Sequence, residues 1–160
     1  MRIGRRRWWV AGLVGGWAVA LLVAAIWSAH HDPATVREQS DLAEGRRALD
    51  RAVAELVDVA GPAVTAQVGP LQASPGCQVT LARSGTELDR TVRLTVPAGQ
   101  DPAALLDRLV EELPADWGAS YRPGANRFFA DAGDFVAVRG GLAEDGSRVE
   151  LTAETGCRPD

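Results

Sequence analysis

Cys77 and Cys157 are the residues whose type and spacing most directly promise chemistry, and no third cysteine competes for either. Cys77 opens one candidate strand and Cys157 closes another. An even count in an oxidising compartment predicts one disulfide between them. By the chain-entropy model, closing so long a loop contributes about 4.5 kcal/mol. Metal ligation is the rival, and it lacks partners, because the two histidines, His30 and His31, stand far upstream. Beyond residue 61 there is neither His nor Lys. Ser–His, Cys–His, Ser–Lys and Schiff-base chemistry are therefore missing a base or an amine. No Gly-rich loop opens a helix as a phosphate cradle does, and Gly140-Gly141 reads as turn material. These absences predict a chain that is not an enzyme and holds no cofactor and no metal.

Carboxylates are the remaining polar chemistry. Glu111-Glu112 end a helix, Asp131 and Asp134 flank a Gly-containing turn, and Glu144-Asp145-Gly146 forms a second acidic turn. Neither turn has the ligand spacing of a calcium loop. A carboxylate-based envelope hydrolase is the alternative reading. It requires two inward-pointing acids in one concave pocket. His30-His31 titrate near neutrality, but they read more simply as polar residues at a helix exit.

Phe128 and Phe129 are adjacent in a strand, so their rings point to opposite faces. One belongs in the core. The other, if uncovered, makes a binding surface with Arg93, Arg127 and Arg139, suited to a peptide or glycan. The plainer reading has a loop or the first helix covering that ring.

These residues need a scaffold, and hydropathy supplies its outline. Residues 8–27, from Trp8 to Trp27, carry no charge. As a helix of about 1.5 Å per residue they would span roughly 30 Å, which predicts a transmembrane helix with indoles at both interfaces. The basic tail 1–7 holds Arg2, Arg5, Arg6 and Arg7, which orient the N-terminus to the cytoplasm and the rest outside. A cleaved signal peptide is the rival, with an apolar run longer than usual. Arg5-Arg6-Arg7-Trp8-Trp9 also resembles a twin-arginine signal, although a positive flank is the simpler reading. Gly12, Gly16, Ala20 and Ala24 share one four-residue spacing. They form a candidate association face for a homodimer within the lipid bilayer, unless Gly/Ala richness alone produces it.

Asp32-Pro33 begins an amphipathic juxtamembrane helix over 32–60, with Leu42, Leu49 and Leu56 on one side and Gly45 as its weak point. It is a stalk, a short coiled coil, or a helix whose second half packs on the domain; we favour the last. Residues 61–76 are a Pro/Gly loop with a short extended piece at 64–68. The domain at 77–160 alternates apolar and polar residues from Cys77, again around Val92, Leu94 and Val96, and in segments near 119–121, 126–131, 135–139 and 148–155. Asp101-Pro102 starts a helix presenting Leu105, Leu106, Leu109, Val110 and Leu113 inward, followed by Trp117. The order predicts an α+β fold: a transmembrane helix, an amphipathic helix, then an antiparallel sheet of five to six strands with helices on one face.

The charge agrees with that division. The whole chain has 17 basic and 21 acidic groups, a net of −4. Removing the four tail arginines leaves 17 − 4 = 13 against 21, a balance of −8. Such an acidic body repels phosphate and argues against nucleic acid as a partner. Every basic residue is Arg, which reads as a coding bias rather than a mechanism.

Arg5–Arg7 before the apolar run, Leu105–Leu113 with Pro114 and Trp117, and the end Leu151-Thr152-Ala153-Glu154-Thr155-Gly156-Cys157-Arg158-Pro159 carry a resemblance. The chain resembles small single-pass or secreted envelope proteins of actinobacteria. The resemblance implies an extracytoplasmic, paired-cysteine α+β domain, and it transfers no catalytic residue. Together these readings predict a membrane-anchored extracytoplasmic module that binds an envelope protein, peptide or glycan. The alternative is an accessory or assembly subunit of a membrane complex.

Overall fold

The computed structural model describes residues 15–25, 40–80, 83–121 and 127–159. Two compact units divide the chain, 1–38 and 39–160. In the first, residues 15–25 form a helix with exposed side chains. This corrects the expected fold. Among the described residues no helix is long and apolar enough to cross a membrane. Arg2, Arg5, Arg6, Arg7, Gly12, His30, His31 and the Asp32-Pro33 start lie outside the described residues.

The second unit opens with helix α1, Leu42–Ala60. Its cap is Asp41, whose side chain accepts from the Glu44 backbone N–H. Its apolar residues recur at helical spacing, so Leu49, Ala52, Val53 and Leu56 form one buried stripe. Gly61 ends it at a φ of +83°, a conformation glycine adopts without strain. Arg108 donates to the carbonyl of Ala60, satisfying one of the last exposed acceptors. Helix α1 thus packs on the sheet along its length instead of standing off as a stalk.

The strands are β1 (Thr65–Val68), β2 (Gln72–Thr80), β3 (Arg83–Thr95), β4 (Ser120–Tyr121), β5 (Arg127–Asp131), β6 (Val136–Leu142) and β7 (Val149–Thr155). Helix α2, Pro102–Glu112, lies between β3 and β4 with Asp101 as its cap and Pro102 at its start. A 3₁₀ turn at Ala115–Trp117 buries Trp117 against the core. All seven strands form one antiparallel sheet in the order β1-β3-β7-β6-β5-β4, with β2 also on β3. The strand count exceeds the expected five to six because the span 61–76, read as a loop, contains β1 and the start of β2. Both pair with the same side of β3, β1 along its second half and β2 along its first. Gly69-Pro70 interrupts what is otherwise one edge, and Gly69 still donates to Thr91.

Alternation then sorts the side chains. Val92, Leu94, Phe128, Ala130, Val136, Val138, Val149, Leu151 and Ala153 point to the helices and form the core with Leu49, Leu56, Leu105, Leu106 and Leu109. Their strand neighbours point away, to a face that no helix of this unit covers among the described residues. Gly140 sits between Phe128 and Leu151 in one inner row, and a Cβ there would overlap both side chains. Its glycine identity therefore serves close packing inside a strand, not a turn.

Candidate functional site

Strand register arranges the uncovered face in rows. One row runs Gln67, Arg93, Glu150, Gly141, Arg127. The next runs Thr91, Thr152, Arg139, Phe129, Ser120. A third runs Gln72, Asp89, Glu154, Ala137, Asp131. Because cross-strand neighbours stand about 5 Å apart, each row is a line of touching side chains.

The first two rows frame a shallow hollow of about 390 Å³. Its floor is the β6 backbone: Gly141 removes a side chain from the outer row, and Gly140 beside it faces inward. Its walls are Arg127, Phe129, Arg139, Glu150 and Thr152. Phe129 is 46% exposed, a large apolar ring left in water on β5, the strand beside the short edge strand β4. Neither a loop nor α1 covers it among the described residues. Phe128, placed in the candidate surface from sequence, is corrected: its ring is buried on the opposite face, as strand alternation requires of one of the pair.

Charge on this face is partly matched. Arg93 reaches Glu150 at 3.7 Å, and Arg148 reaches the same carboxylate at 2.9 Å. Arg139 pairs with Glu154. The Arg127 side chain has neither an ion pair nor a hydrogen bond among the described residues. The third row carries Asp89, Glu154 and Asp131 with no basic residue in line, so the face is polarised, cationic toward Arg127 and anionic toward Asp131.

The acidic turns are self-satisfied. Asp131 accepts from Gly133 N–H at 3.0 Å, and Asp145 accepts from both the backbone and the hydroxyl of Ser147. The backbone and hydroxyl bonds from Ser147 hold the Asp145 carboxyl below its ordinary range, with Arg148 adding a smaller pull. Among the described residues no group of three His, Cys, Asp or Glu is placed to hold a metal ion. A second hollow, about 260 Å³, lies between α1, the Pro114–Trp117 turn and the β5–β6 turn. Its charged lining is Arg51, Glu55, Asp116 and Asp134, and Arg51 bridges Asp134 at 3.1 Å.

Cys77 and Cys157 form the disulfide, with a Cα–Cα distance of 5.8 Å. Of the proposed association face, Gly16, Ala20 and Ala24 fall on the helix over 15–25, and Gly12 lies outside the described residues.

Arg158 is a residue sequence reasoning missed. It is fully buried. It donates to the carbonyl of Asp134 and to Ser40, whose hydroxyl it meets at 2.5 Å, and its guanidinium stacks on Phe135. The faint signal was Gly45, a glycine inside a good helix. A Cβ at Gly45 would come within 3.1 Å of Arg158 Nε, tighter than ordinary van der Waals contact, so the missing side chain gives the guanidinium room.

No family model, no curated protein and no solved structure matches this chain.

Proposed function

We propose that this chain is an extracytoplasmic interaction module whose open sheet face binds an extended peptide segment of an envelope protein. The observation that carries the reading is Phe129, half exposed beside a floor of β6 backbone and flanked by Arg127 and Arg139. An exposed ring beside guanidinium groups is the composition of an interface anchor. The hollow takes one partner side chain on Phe129, and Arg127 supplies an unmatched charge for a carboxylate beside it. The acidic third row repels an anion and so sets the peptide's direction, its carboxylate toward Arg127 and any basic residue toward Asp131. The disulfide supports an oxidising compartment for the module.

The test is a fluorescence-anisotropy titration of full-length protein with short peptides pairing an aromatic residue with Asp or Glu. Scrambled-charge peptides serve as the control. Phe129→Ser and Arg127→Ser should each weaken binding by at least about tenfold. Equal binding by wild type and both variants overturns the reading.

A second reading rests on the helix over 15–25, where Trp17, Val19, Leu21 and Leu22 are exposed together. An apolar surface of that kind marks a seat for a partner and suits an accessory subunit of a larger complex. Replacing Leu21 and Leu22 with Ser should abolish co-purification with that partner. Unchanged co-purification removes this reading.

A further inference from the structure

We propose that the Cys157-Arg158 segment is a redox-controlled latch, closed by the disulfide and released by a dithiol reductant. The segment lies across three elements. Arg158 exchanges both backbone hydrogen bonds with Thr86 of β3, and Gly156 donates to the carbonyl of Phe135. The Arg158 side chain then joins Ser40, just before α1, to Asp134 in the β5–β6 turn.

The seat itself is energetically close to balance, which is what a switch requires. Arg158 carries a buried charge with no salt bridge among the described residues; its hydrogen-bond acceptors there are carbonyls and one hydroxyl, and the carboxylates of Asp134 and Glu44 favour its charge only through space. Its Nε is buried with no hydrogen-bond partner among the described residues. Burying a guanidinium on those terms sets a large desolvation cost against the bonds gained. Two further strains add to it. Asp134 and Phe135 hold φ values of +48° and +57°, in a region that side-chain-bearing residues rarely occupy. Gly45 has left helix α1 without a side chain at the point of contact.

What tips the balance is the neighbouring residue. Cys157, bonded to Cys77 of β2, holds Arg158 one residue from its anchor, so the guanidinium meets its seat at high effective concentration. A dithiol reductant supplies two electrons and two protons. The S–S bond breaks, each cysteine becomes a thiol, and the reductant closes its own disulfide. The latch then depends on its own marginal contacts and opens, freeing the start of α1 and the β5–β6 turn while the sheet persists.

Hydrogen exchange on the full chain, oxidised and after dithiothreitol, tests this. Exchange in 40–48 and 132–136 should rise on reduction at least tenfold more than in 88–94 and 149–153, where only the disulfide's contribution to global stability is lost. Arg158→Ala in the oxidised chain, its disulfide verified by absence of free thiols, should raise exchange in the same two segments. Reoxidation of wild type should restore protection. The proposal is overturned if reduction changes neither segment, if it raises exchange evenly across the sheet, or if Arg158→Ala leaves both segments protected.

Discussion

The guanidinium carbon of Arg158 lies 5.5 Å from the centroid of the Phe135 ring, and Phe135 holds its backbone at a φ of +57°. A residue at the chain's far end thus clamps a turn that its own sequence disfavours. Val136 N–H donates back to Gly133, closing a hairpin turn with Asp134 and Phe135 at its centre. Turns of this hand normally carry Asn or Gly at both central positions. The ring stacking and the bond to the Asp134 carbonyl compensate for their absence here.

Replacing Asp134 with Gly separates strain from contact. Relief of the left-handed conformation is worth about 1 kcal/mol. The lost bridge to Arg51 is exposed on both sides, with both side chains 66% accessible, and exposed pairs contribute about 1 kcal/mol at most in ordinary salt. Urea unfolding should therefore show Asp134→Gly at least as stable as wild type. Phe135→Gly should be less stable by about 1–2 kcal/mol, because the stacked ring goes too. Destabilisation of Asp134→Gly by more than about 1 kcal/mol would show that its side chain matters more than its backbone.

Gly45→Ala inverts a familiar rule. In an open helix the change stabilises by about 1 kcal/mol. Here the added carbon meets Arg158 at 3.1–3.2 Å, so it should destabilise by about 1 kcal/mol or more. In an Arg158→Ala background the obstruction is gone and the ordinary helical gain should return. A double-mutant cycle reading a coupling near zero would separate the two residues.

How far these contacts were legible beforehand depends on range. Local signals were legible: the Asp101-Pro102 helix start, alternation around Val92 and Leu94, and Leu49 and Leu56 on one helical face. The Cys77–Cys157 pairing was legible because only two cysteines exist. Arg158 was not, because a lone arginine between Cys157 and Pro159 carries no periodicity, and its partners lie 118 and 24 residues away. The row of Gly141 beside Arg127 was equally hidden, since it depends on strand order, which no single strand encodes. The apolar run at 8–27 shows the opposite failure. Composition suggested a membrane span, and among the described residues no helix is long and apolar enough to cross a membrane.

Gly140→Ala tests the inner row. A methyl group there would overlap the Phe128 ring and Leu151, both buried in the core. Overpacking of this kind costs about 1–3 kcal/mol. Differential scanning calorimetry should show a lowered Tm, recovered in part by Phe128→Leu, which shortens the opposing side chain. No recovery would mean the strain lies in the backbone.

Alkaline stability should depend on Tyr121. Its hydroxyl donates to Asp107 on α2 at 2.7 Å. Partial burial first, then the hydrogen bond and negative charge of Asp107, raise its pKa above the ordinary value of 10. The folded state therefore favours the neutral phenol. This stabilisation is fully present below about pH 10 and is lost as pH rises beyond it, because the unfolded chain ionises first. Stability measured between pH 9 and 11 should fall more steeply in wild type than in Tyr121→Phe. Parallel curves would contradict it.

The open face makes the sharpest distinction between folding and function. Phe129 touches water over nearly half its surface, so Phe129→Ser should change unfolding free energy by no more than about 1 kcal/mol. Arg127→Gln removes a charge that has no partner among the described residues, so its stability effect should be within about 0.5 kcal/mol. If this face binds an anionic peptide, both substitutions should nonetheless weaken binding, and by different physics. Phe129→Ser removes an apolar anchor and should weaken binding equally at low and high salt. Arg127→Gln removes an exposed charge, so its effect should be large at about 10 mM salt, where the screening length is near 30 Å, and small at about 1 M, where it is near 3 Å. Titrations of both variants at the two salt concentrations read this directly. A Phe129→Ser defect that disappears at high salt, or an Arg127→Gln defect that persists there, would assign the wrong force to each residue.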